Sequence, residues 1–236
     1  MNTHPLIQQT GLLRCVINLG NPLLASPEGD SAKGVSVDMA KQLSLTLKVE
    51  CQLVVVNNAR EAVQALEAEQ ADIGFLAVDP SRAEHLSFTK PYLLIEGCYM
   101  VKEDSLLTEL SQVGQAGHRV VVGLGSAYDL FLSRHLQHAE LVRAESSKAV
   151  VSAFLQGDHE VAAGVKHQLE TDAASHGHLR LLPGAFMTIQ QAMACPKSRG
   201  AQAHLYLESF VQNLKQRGFI SQAMLAHGVT GASLAP

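Results

Sequence analysis

Short apolar runs alternate with amphipathic segments along the first third of the chain, and this alternation constrains the fold more than any other feature. The apolar, β-branched runs that predict strands are residues 11–19, 49–56 and 72–77. Residues 35–47 carry apolar side chains at helical spacing, and Asn57 or Asn58 can cap a second helix. This order predicts an α/β fold with a mainly parallel, twisted sheet and helices on both faces.

The second half of the chain repeats the alternation. Its predicted strands are residues 118–124, 140–143 and 160–165, and its predicted helices are residues 126–136 and 148–155. A faint internal repeat supports this, because Ala65-Leu66 precedes Asp72 by the interval that separates Ala153-Phe154 from Glu160. We therefore predict two α/β lobes of about 100 residues each. One or two amphipathic helices in residues 199–228 are expected to pack back on one lobe.

Composition excludes several classes of protein. The 236 residues are 47% hydrophobic and 17% charged with a net charge of −4, which argues against a disordered chain and against a general nucleic-acid binder. No apolar run reaches the ~20 residues that cross a bilayer, so no membrane insertion is predicted. The four cysteines lack metal-ligand spacing and are expected to be buried thiols: Cys15, Cys51, Cys98 and Cys195.

The N-terminal residues 1–10 have neither a basic start nor an apolar stretch. They are therefore not predicted to be a secretory signal peptide. Either the protein stays in the cytoplasm or a leader has been removed from this chain.

A glycine-rich turn, Gly123-Leu124-Gly125-Ser126, follows a predicted strand and opens a predicted helix. Such a turn presents backbone N–H groups at the positive end of the helix dipole, which suits an anion. A tight turn into a helix capped by Ser126 and Asp129 is the alternative interpretation. The third glycine of a dinucleotide fingerprint is replaced by Tyr128, and no nucleophile elbow is present, so no cofactor and no serine hydrolase are predicted.

Arg82 follows Asp79-Pro80, which predicts a helix start just past the carboxyl end of a strand. Ligands of open α/β sheets bind at that end, and an arginine there can hold a carboxylate with two parallel hydrogen bonds. An exposed surface arginine is the alternative. Two histidine pairs lack a third metal ligand and are expected to be exposed: His135 with His138, and His176 with His178.

Several segments together resemble the periplasmic amino-acid-binding proteins of ABC transporters, the family 3 extracellular solute-binding proteins. They are Gly-Leu-Leu-Arg at 11–14, Gly-Val-Ser-Val-Asp-Met-Ala at 34–40, residues 65–66 with 72–73, Asp-Pro-Ser-Arg at 79–82, Leu-Ser-Phe-Thr-Lys-Pro-Tyr at 86–92, and residues 123–128. The resemblance covers almost the whole chain. It implies a type II periplasmic-binding-protein fold: two Rossmann-like lobes joined by two crossover strands, which close on the ligand by a hinge motion.

The resemblance also implies the domain limits and the partners. Lobe 1 would comprise residues 1–96 and 193–236, lobe 2 residues 97–192, with crossovers near residues 95–101 and 190–194. The expected protein is a periplasmic monomer without catalytic activity that binds a small ligand and delivers it to an ABC transporter permease.

By position, Arg82 matches the family's arginine that clamps the ligand carboxylate, and Ser126 and Ala127 match the helix start that adds backbone donors. Phe75 and Ala77 match strand residues that usually help to bind the ligand's amino group through oxygen atoms. The remaining expected ligand contacts are Asn18, Asn21, Asn58 and Val165.

Three departures from the family pattern bear on the ligand. Val165 stands where the family has the aspartate that binds the α-ammonium group, and the two stacking aromatic positions fall at Gly20 or Asn21 and at Asn57 or Asn58. A buried ammonium group without an acceptor costs several kcal/mol. We therefore expect a carboxylate ligand without a standard free α-amino group: an organic acid, a keto or hydroxy acid, or a modified amino acid.

Three alternatives stay open. Glu160 or Glu170 could take the aspartate's role if the alignment slips locally. The chain could be a dehydratase resembling cyclohexadienyl dehydratase, with Lys166 or Glu170 acting beside Arg82. It could also be the sensor domain of a receptor.

Overall fold

The computed structural model describes residues 4–8 and 11–236. Residues 1–3, 9 and 10, which belong to the segment tested above for a leader sequence, lie outside the described residues. The chain forms two compact units: unit 1 is Met1–Leu94 with Gln190–Pro236, and unit 2 is Ile95–Ile189.

The elements follow one another with short connections. Up to the first crossover they are β1 (Leu12–Asn18), β2 (Ser26–Glu28), β3 (Ser31–Lys33), α1 (Val35–Leu47), β4 (Glu50–Val56), α2 (Ala59–Glu67), β5 (Ile73–Ala77), a 3-10 turn (Arg82–Glu84) and β6 (Leu86–Phe88). The crossover strand β7 (Leu93–Lys102) leads into unit 2.

Unit 2 and the return to unit 1 complete the chain. Unit 2 contains α3 (Leu110–Val113), β8 (Arg119–Gly123), α4 (Ala127–His135), β9 (Glu140–Ala144), a 3-10 turn (Ser147–Ala149), α5 (Val150–Gln156), β10 (Val161–Val165), α6 (Lys166–His176) and β11 (Leu179–Leu181). The second crossover strand β12 (Met187–Pro196) is followed by a 3-10 turn (Lys197–Arg199), α7 (Gly200–Gln216), α8 (Phe219–Ala226) and β13 (Ala232–Leu234).

In unit 1 the strand β1 lies between β4 and β5 and is parallel to both, while β12 pairs antiparallel with β5. The chain therefore leaves β1 on one side through α1 and reaches its other side through α2. This reversal of direction makes a topological switch point at the carboxyl ends of β1 and β5, the usual ligand position in such sheets.

Unit 2 has the same arrangement. Its strand β8 lies between β9 and β10 and is parallel to both, and β7 pairs antiparallel with β10. Its switch point is at the carboxyl ends of β8 and β10. The prediction of an α/β fold with mainly parallel sheets is confirmed.

Each unit has an apolar core between its sheet and its helices. In unit 1, Val16, Leu66 and Leu76 are buried in one cluster, to which α2 also contributes Ala62 and Ala65. In unit 2, Val121 and Phe154 belong to the corresponding cluster. Burying one large apolar side chain contributes roughly 1.5–3 kcal/mol, so these faces fix the helices on their sheets.

The internal repeat corresponds to a repeated ion pair. Asp72, just before β5, accepts hydrogen bonds from Arg14 Nε and Nη2 at 3.2 and 2.8 Å. Glu160, just before β10, accepts from Arg119 Nε and Nη2 at 3.1 and 2.7 Å. Each carboxylate also accepts from the backbone N–H of its arginine, at 2.9 and 2.7 Å. The pair ties the amino ends of the first and third parallel strands in each unit.

The prediction that an α-helix begins at Asp79-Pro80 is wrong. Only the 3-10 turn Arg82–Glu84 forms, because the chain enters β6 at Leu86 and leaves room for a single turn. Asp79 does not cap an α-helix; its Oδ1 accepts from the N–H and the hydroxyl of Ser81 at 2.9 and 2.7 Å.

None of the helices among the described residues combines the length and the apolar character that crossing a membrane requires. All four cysteines are free thiols; Cys15, Cys98 and Cys195 are buried, as predicted, whereas Cys51 is only half-buried.

Candidate functional site

Most predicted contacts of unit 1 lie at the carboxyl edge of its sheet. Asn18 is the last residue of β1, Asn58 follows β4, and Ala77 is the last residue of β5. Arg82 follows β5 by five residues, and its Nη1 donates to the Ala77 carbonyl oxygen at 2.8 Å. The switch point of unit 1 therefore carries polar side chains and one guanidinium group.

Arg82 is only 4% exposed, so it is not the surface arginine of the alternative interpretation. Burial lowers the pKa of its guanidinium to about 10, and the nearby Asp79 carboxylate opposes this shift by coulombic attraction. The group remains a cation at neutral pH. A cation held with so little water is strongly stabilised by an anion that is brought to it.

Asp79 is a contributor that the sequence did not identify as part of the site. It is 3% exposed and holds the turn that presents Arg82. The Asp-Pro pair was visible in the sequence, but only as a helix-start signal.

The loops after β1 and β4 lie against each other. A side chain at Gly20 would meet the backbone oxygen of Asn57 at 2.8 Å and the Asn18 Oδ1 atom at 2.9 Å. Asn18 Oδ1 also accepts from the Gly20 N–H at 2.7 Å. An aromatic side chain at position 20 is therefore sterically excluded, and Asn21 beside it is half-buried.

Asn58 caps α2, as one of the two predicted candidates. Its Oδ1 accepts from the Glu61 N–H at 2.9 Å, and its Nδ2 donates to Glu61 Oε1 at 2.7 Å. Its predicted contact with the ligand stays a prediction, because its side chain already has this structural role.

We expect Asn58→Ala to lower the free energy of unfolding by about 1 kcal/mol, the usual cost of removing an N-cap. Asn58→Ser keeps an acceptor oxygen and should retain most of the stability. Chemical denaturation of both variants measures this. A solute affinity that falls in Asn58→Ser while stability is kept would show a ligand contact in addition to the cap.

Phe75 and Ala77 offer only hydrocarbon side chains. Both are 5% exposed, and Phe75 packs edge-on against Tyr92 with ring centroids 6.4 Å apart. At these two positions unit 1 supplies no side-chain oxygen for an amino group.

In unit 2 the glycine-rich turn enters α4 as predicted. Ser126 is its N-cap and accepts from the Asp129 N–H at 3.0 Å, and Ala127 is its first residue. Gly123 has no room for a side chain, since a Cβ would lie 2.7 Å from the Ser147 nitrogen, and Gly125 has a φ of +69°. Both glycines are therefore required by the turn itself.

Besides its part in the cap with Ser126, Asp129 has a second role that was not predicted from the sequence. Its Oδ2 accepts from the Gly125 N–H at 2.8 Å, and its Oδ1 accepts from Arg143 Nε at 3.0 Å. A resident carboxylate thus already uses one donor of this helix start. The spacing Ser126-x-x-Asp129 was the signal for it.

Val165, the last residue of β10, is half-buried and carries no polar side-chain atom. Glu160 lies five residues away at the amino end of the same strand, about 16 Å along it, and pairs with Arg119. Glu160 is therefore badly placed for the aspartate's role. Glu170 is exposed on α6.

The described residues contain no group of three or more His, Cys, Asp or Glu side chains that could hold a metal ion. His135, His138, His176 and His178 are all exposed, as predicted.

Comparison with known proteins defines the class. A family model described as "Bacterial extracellular solute-binding proteins, family 3" matches residues 13–223. The chain belongs to this family, and the resemblance inferred from the sequence is confirmed. Membership agrees with the prediction of a binding protein rather than an enzyme.

One curated relative is the octopine-binding periplasmic protein of Rhizobium meliloti. It is 32% identical to this chain over 84 residues, which are 35% of this chain and only 28% of that protein.

Two solved structures have the same fold. A mutant of ArgBP from T. maritima matches with a TM-score of 0.78 and 18% identity, over 93% of this chain and 96% of that one. A histidine kinase sensor domain with similarity to periplasmic binding proteins matches with a TM-score of 0.80 and 13% identity, over 95% and 98%. The TM-scores support the type II periplasmic-binding-protein fold, and identities this low do not identify a ligand.

Proposed function

We propose that this chain captures a small carboxylate-bearing solute and that Arg82 clamps its carboxylate. We further propose that the solute is an organic acid or a modified amino acid rather than a standard free amino acid. The observation that carries the proposal is the nearly complete burial of the Arg82 guanidinium at the switch point of unit 1.

The position of Arg82 supports the clamp. The planar guanidinium matches a carboxylate with two parallel hydrogen bonds, and these strengthen where water is excluded. The hydrogen bond to the Ala77 oxygen holds one guanidinium nitrogen in place before the solute binds. The Arg82 side chain therefore loses less conformational entropy on binding. Ser126 and Ala127 are proposed as additional donors from the start of α4.

The side chains at the positions expected to bind an amino group are apolar, which supports the proposal that the solute is not a standard free amino acid. The side chains of Val165 and Ala77 carry no acceptor, and Glu160 pairs with Arg119 at the amino end of β10. An α-ammonium group desolvated beside such residues would lose several kcal/mol of hydration without compensation. The name of the octopine-binding relative offers a non-standard amino acid as one candidate ligand.

The proposed setting is solute uptake. In this setting the protein acts in the periplasm as a monomer, captures the solute by the hinge closure that the resemblance implies, and delivers it to an ABC transporter permease. The structural match to a histidine kinase sensor domain supports the second candidate function, that of a receptor's sensor domain.

The positions of Lys166 and Glu170 do not favour dehydratase chemistry. Lys166 Nζ pairs with Glu96 Oε2 at 2.7 Å, and Glu170 is exposed. Neither group is in a dry environment that would adapt it to proton transfer.

A thermal-shift screen tests the proposal. Organic acids, hydroxy and keto acids, octopine and the twenty standard amino acids are added to the protein at equal concentrations. At least one compound of the first groups should raise the melting temperature clearly, because a ligand present at about 100 times its Kd stabilises by about 2.7 kcal/mol. A clear shift with an unmodified standard amino acid would contradict the proposed ligand class.

A further inference from the structure

Two of the four cysteines lie side by side in unit 1. Cys15 belongs to β1 and Cys51 to β4, and in the register of these strands Leu13 pairs with Cys51 and Cys15 with Leu53. The two cysteines are therefore two residues out of register and project to the same face of the sheet. Their Sγ atoms are 4.0 Å apart, within hydrogen-bonding distance for sulfur.

The two thiols differ in access. Cys15 is fully buried, whereas Cys51 is half-buried and borders an open cavity of about 490 Å³. Besides Cys51, this cavity is lined by Leu12, Ser31, Lys41, Glu50, Gln52 and Leu53. It lies at the amino ends of β1 and β4, so it is separate from the switch point that carries Arg82.

The surroundings favour the ionised form of Cys51. The hydrogen bond between Cys51 and Cys15 is the largest effect, and together with Ser44 and Lys41 it lowers the pKa of the Cys51 thiol to about 7 despite partial burial. Cys98 and Cys195 contrast with it, since burial raises the pKa of each thiol to about 11. The titratable groups that act on the Cys51 thiol are Cys15 on β1 and Lys41 on α1, and Glu50 on β4 lines the same cavity.

We propose that Cys51 is a thiol modification site that takes up a low-molecular-weight thiol as a mixed disulfide, with Cys15 as the hydrogen-bond donor to its thiolate. The Cys51 thiolate attacks one sulfur of a small disulfide RS–SR. The new bond joins Cys51 Sγ to that sulfur, the S–S bond of the reagent breaks, and RS⁻ leaves and takes a proton from water. No other oxidant is required.

The geometry favours this product over a disulfide between the two cysteines. A disulfide requires Cα atoms within about 7 Å of each other. Cys15 and Cys51 lie two residues out of register on paired strands, which places their Cα atoms roughly 8 Å apart, about 4.8 Å across the strands and about 6.6 Å along them. The cavity provides space for the small thiol, and Lys41 offers a positive charge to an acidic one.

Oxidised glutathione is the probe. After incubation at pH 7 and removal of excess reagent, intact-mass spectrometry should show one glutathionyl group per chain, and peptide mapping should place it on Cys51. Cys51→Ser should abolish the adduct, and the matched variants Cys98→Ser and Cys195→Ser should retain it. In Cys15→Ala the pH at which the rate is half-maximal should rise above 7, with a rate at pH 7 roughly fivefold lower, since fewer thiols are ionised and the gain in nucleophilicity offsets only part of this.

Four results would overturn the proposal: an adduct on Cys98 or Cys195 at a comparable rate, a folded protein that takes up no adduct, a loss of two hydrogens that signals a Cys15–Cys51 disulfide, or an unchanged pH profile in Cys15→Ala. Mapping of the wild-type adduct decides the site even if a variant folds poorly.

Discussion

Arg82→Ala is expected to abolish solute binding. Truncating one partner of a buried, hydrogen-bonded charge pair costs about 2–5 kcal/mol, or roughly 30-fold to several thousand-fold in Kd. Arg82 is 4% exposed, so water can replace little of the lost interaction. Isothermal titration calorimetry with the best compound of the screen measures the effect.

Two further variants separate the clamp from simple charge. Arg82→Lys keeps the positive charge but loses the planar fork, so its affinity should lie between those of wild type and Arg82→Ala. Arg60→Ala removes an exposed arginine from α2 and should leave the affinity unchanged. Unaltered binding in Arg82→Ala, with the fold intact by circular dichroism, would refute the clamp.

Asp72→Asn is expected to give the largest loss of stability. Asp72 is fully buried and accepts from Arg14 and from Arg199 Nη2, the latter at 3.0 Å. Removing its charge breaks the ion pair of Arg14 and leaves Arg199 with the more distant Glu69 carboxylate at 3.6 Å. Breaking a buried pair in this way costs about 3–5 kcal/mol. The melting temperature should fall by on the order of 10 °C, which differential scanning calorimetry measures.

Glu160→Gln is the matched control in unit 2, because it breaks the repeated ion pair at a more exposed position. The side chains of Arg119 and Glu160 are 38% and 32% exposed, so we expect a loss of about 1 kcal/mol or less. A loss as large as that of Asp72→Asn would contradict the importance of burial.

Glu160 should also contribute to the dependence of stability on pH. Hydrogen bonding to Arg119 lowers the pKa of its carboxyl from about 4.5 to about 2. The ionised pair therefore stabilises the fold above pH 4.5, and this contribution is lost as the pH falls toward 2. The difference in stability between wild type and Glu160→Gln should shrink over that range.

The parallel strands and their helices were predictable because their periodicity follows from burial. Helix α1 begins and ends where its apolar spacing predicted, at Val35 and Leu47. The hairpin of β2 and β3 was not predicted, because its three-residue strands are too short for a periodic pattern and the segment reads as a polar loop.

The candidate site was predictable in part. Arg82 was identified by residue type and by its position after a strand, but its burial depends on how the turn at Asp79 folds back over the sheet. The contact of Gly20 with Asn57 joins loops that are distant in sequence, and no local pattern records it. The sequence showed that the aromatic residues of the family are absent at these positions. It did not show the steric reason, which is the close approach of the Asn57 backbone to Gly20.

The most direct test compares two solutes that differ only in the α substituent. The best-bound hydroxy or keto acid of the screen and the amino acid with the same side chain are titrated calorimetrically into the wild-type protein. We expect the compound without the free amino group to bind at least tenfold more tightly, since the side chains of Ala77 and Val165 provide no acceptor. An amino acid that binds as tightly or more tightly would contradict it.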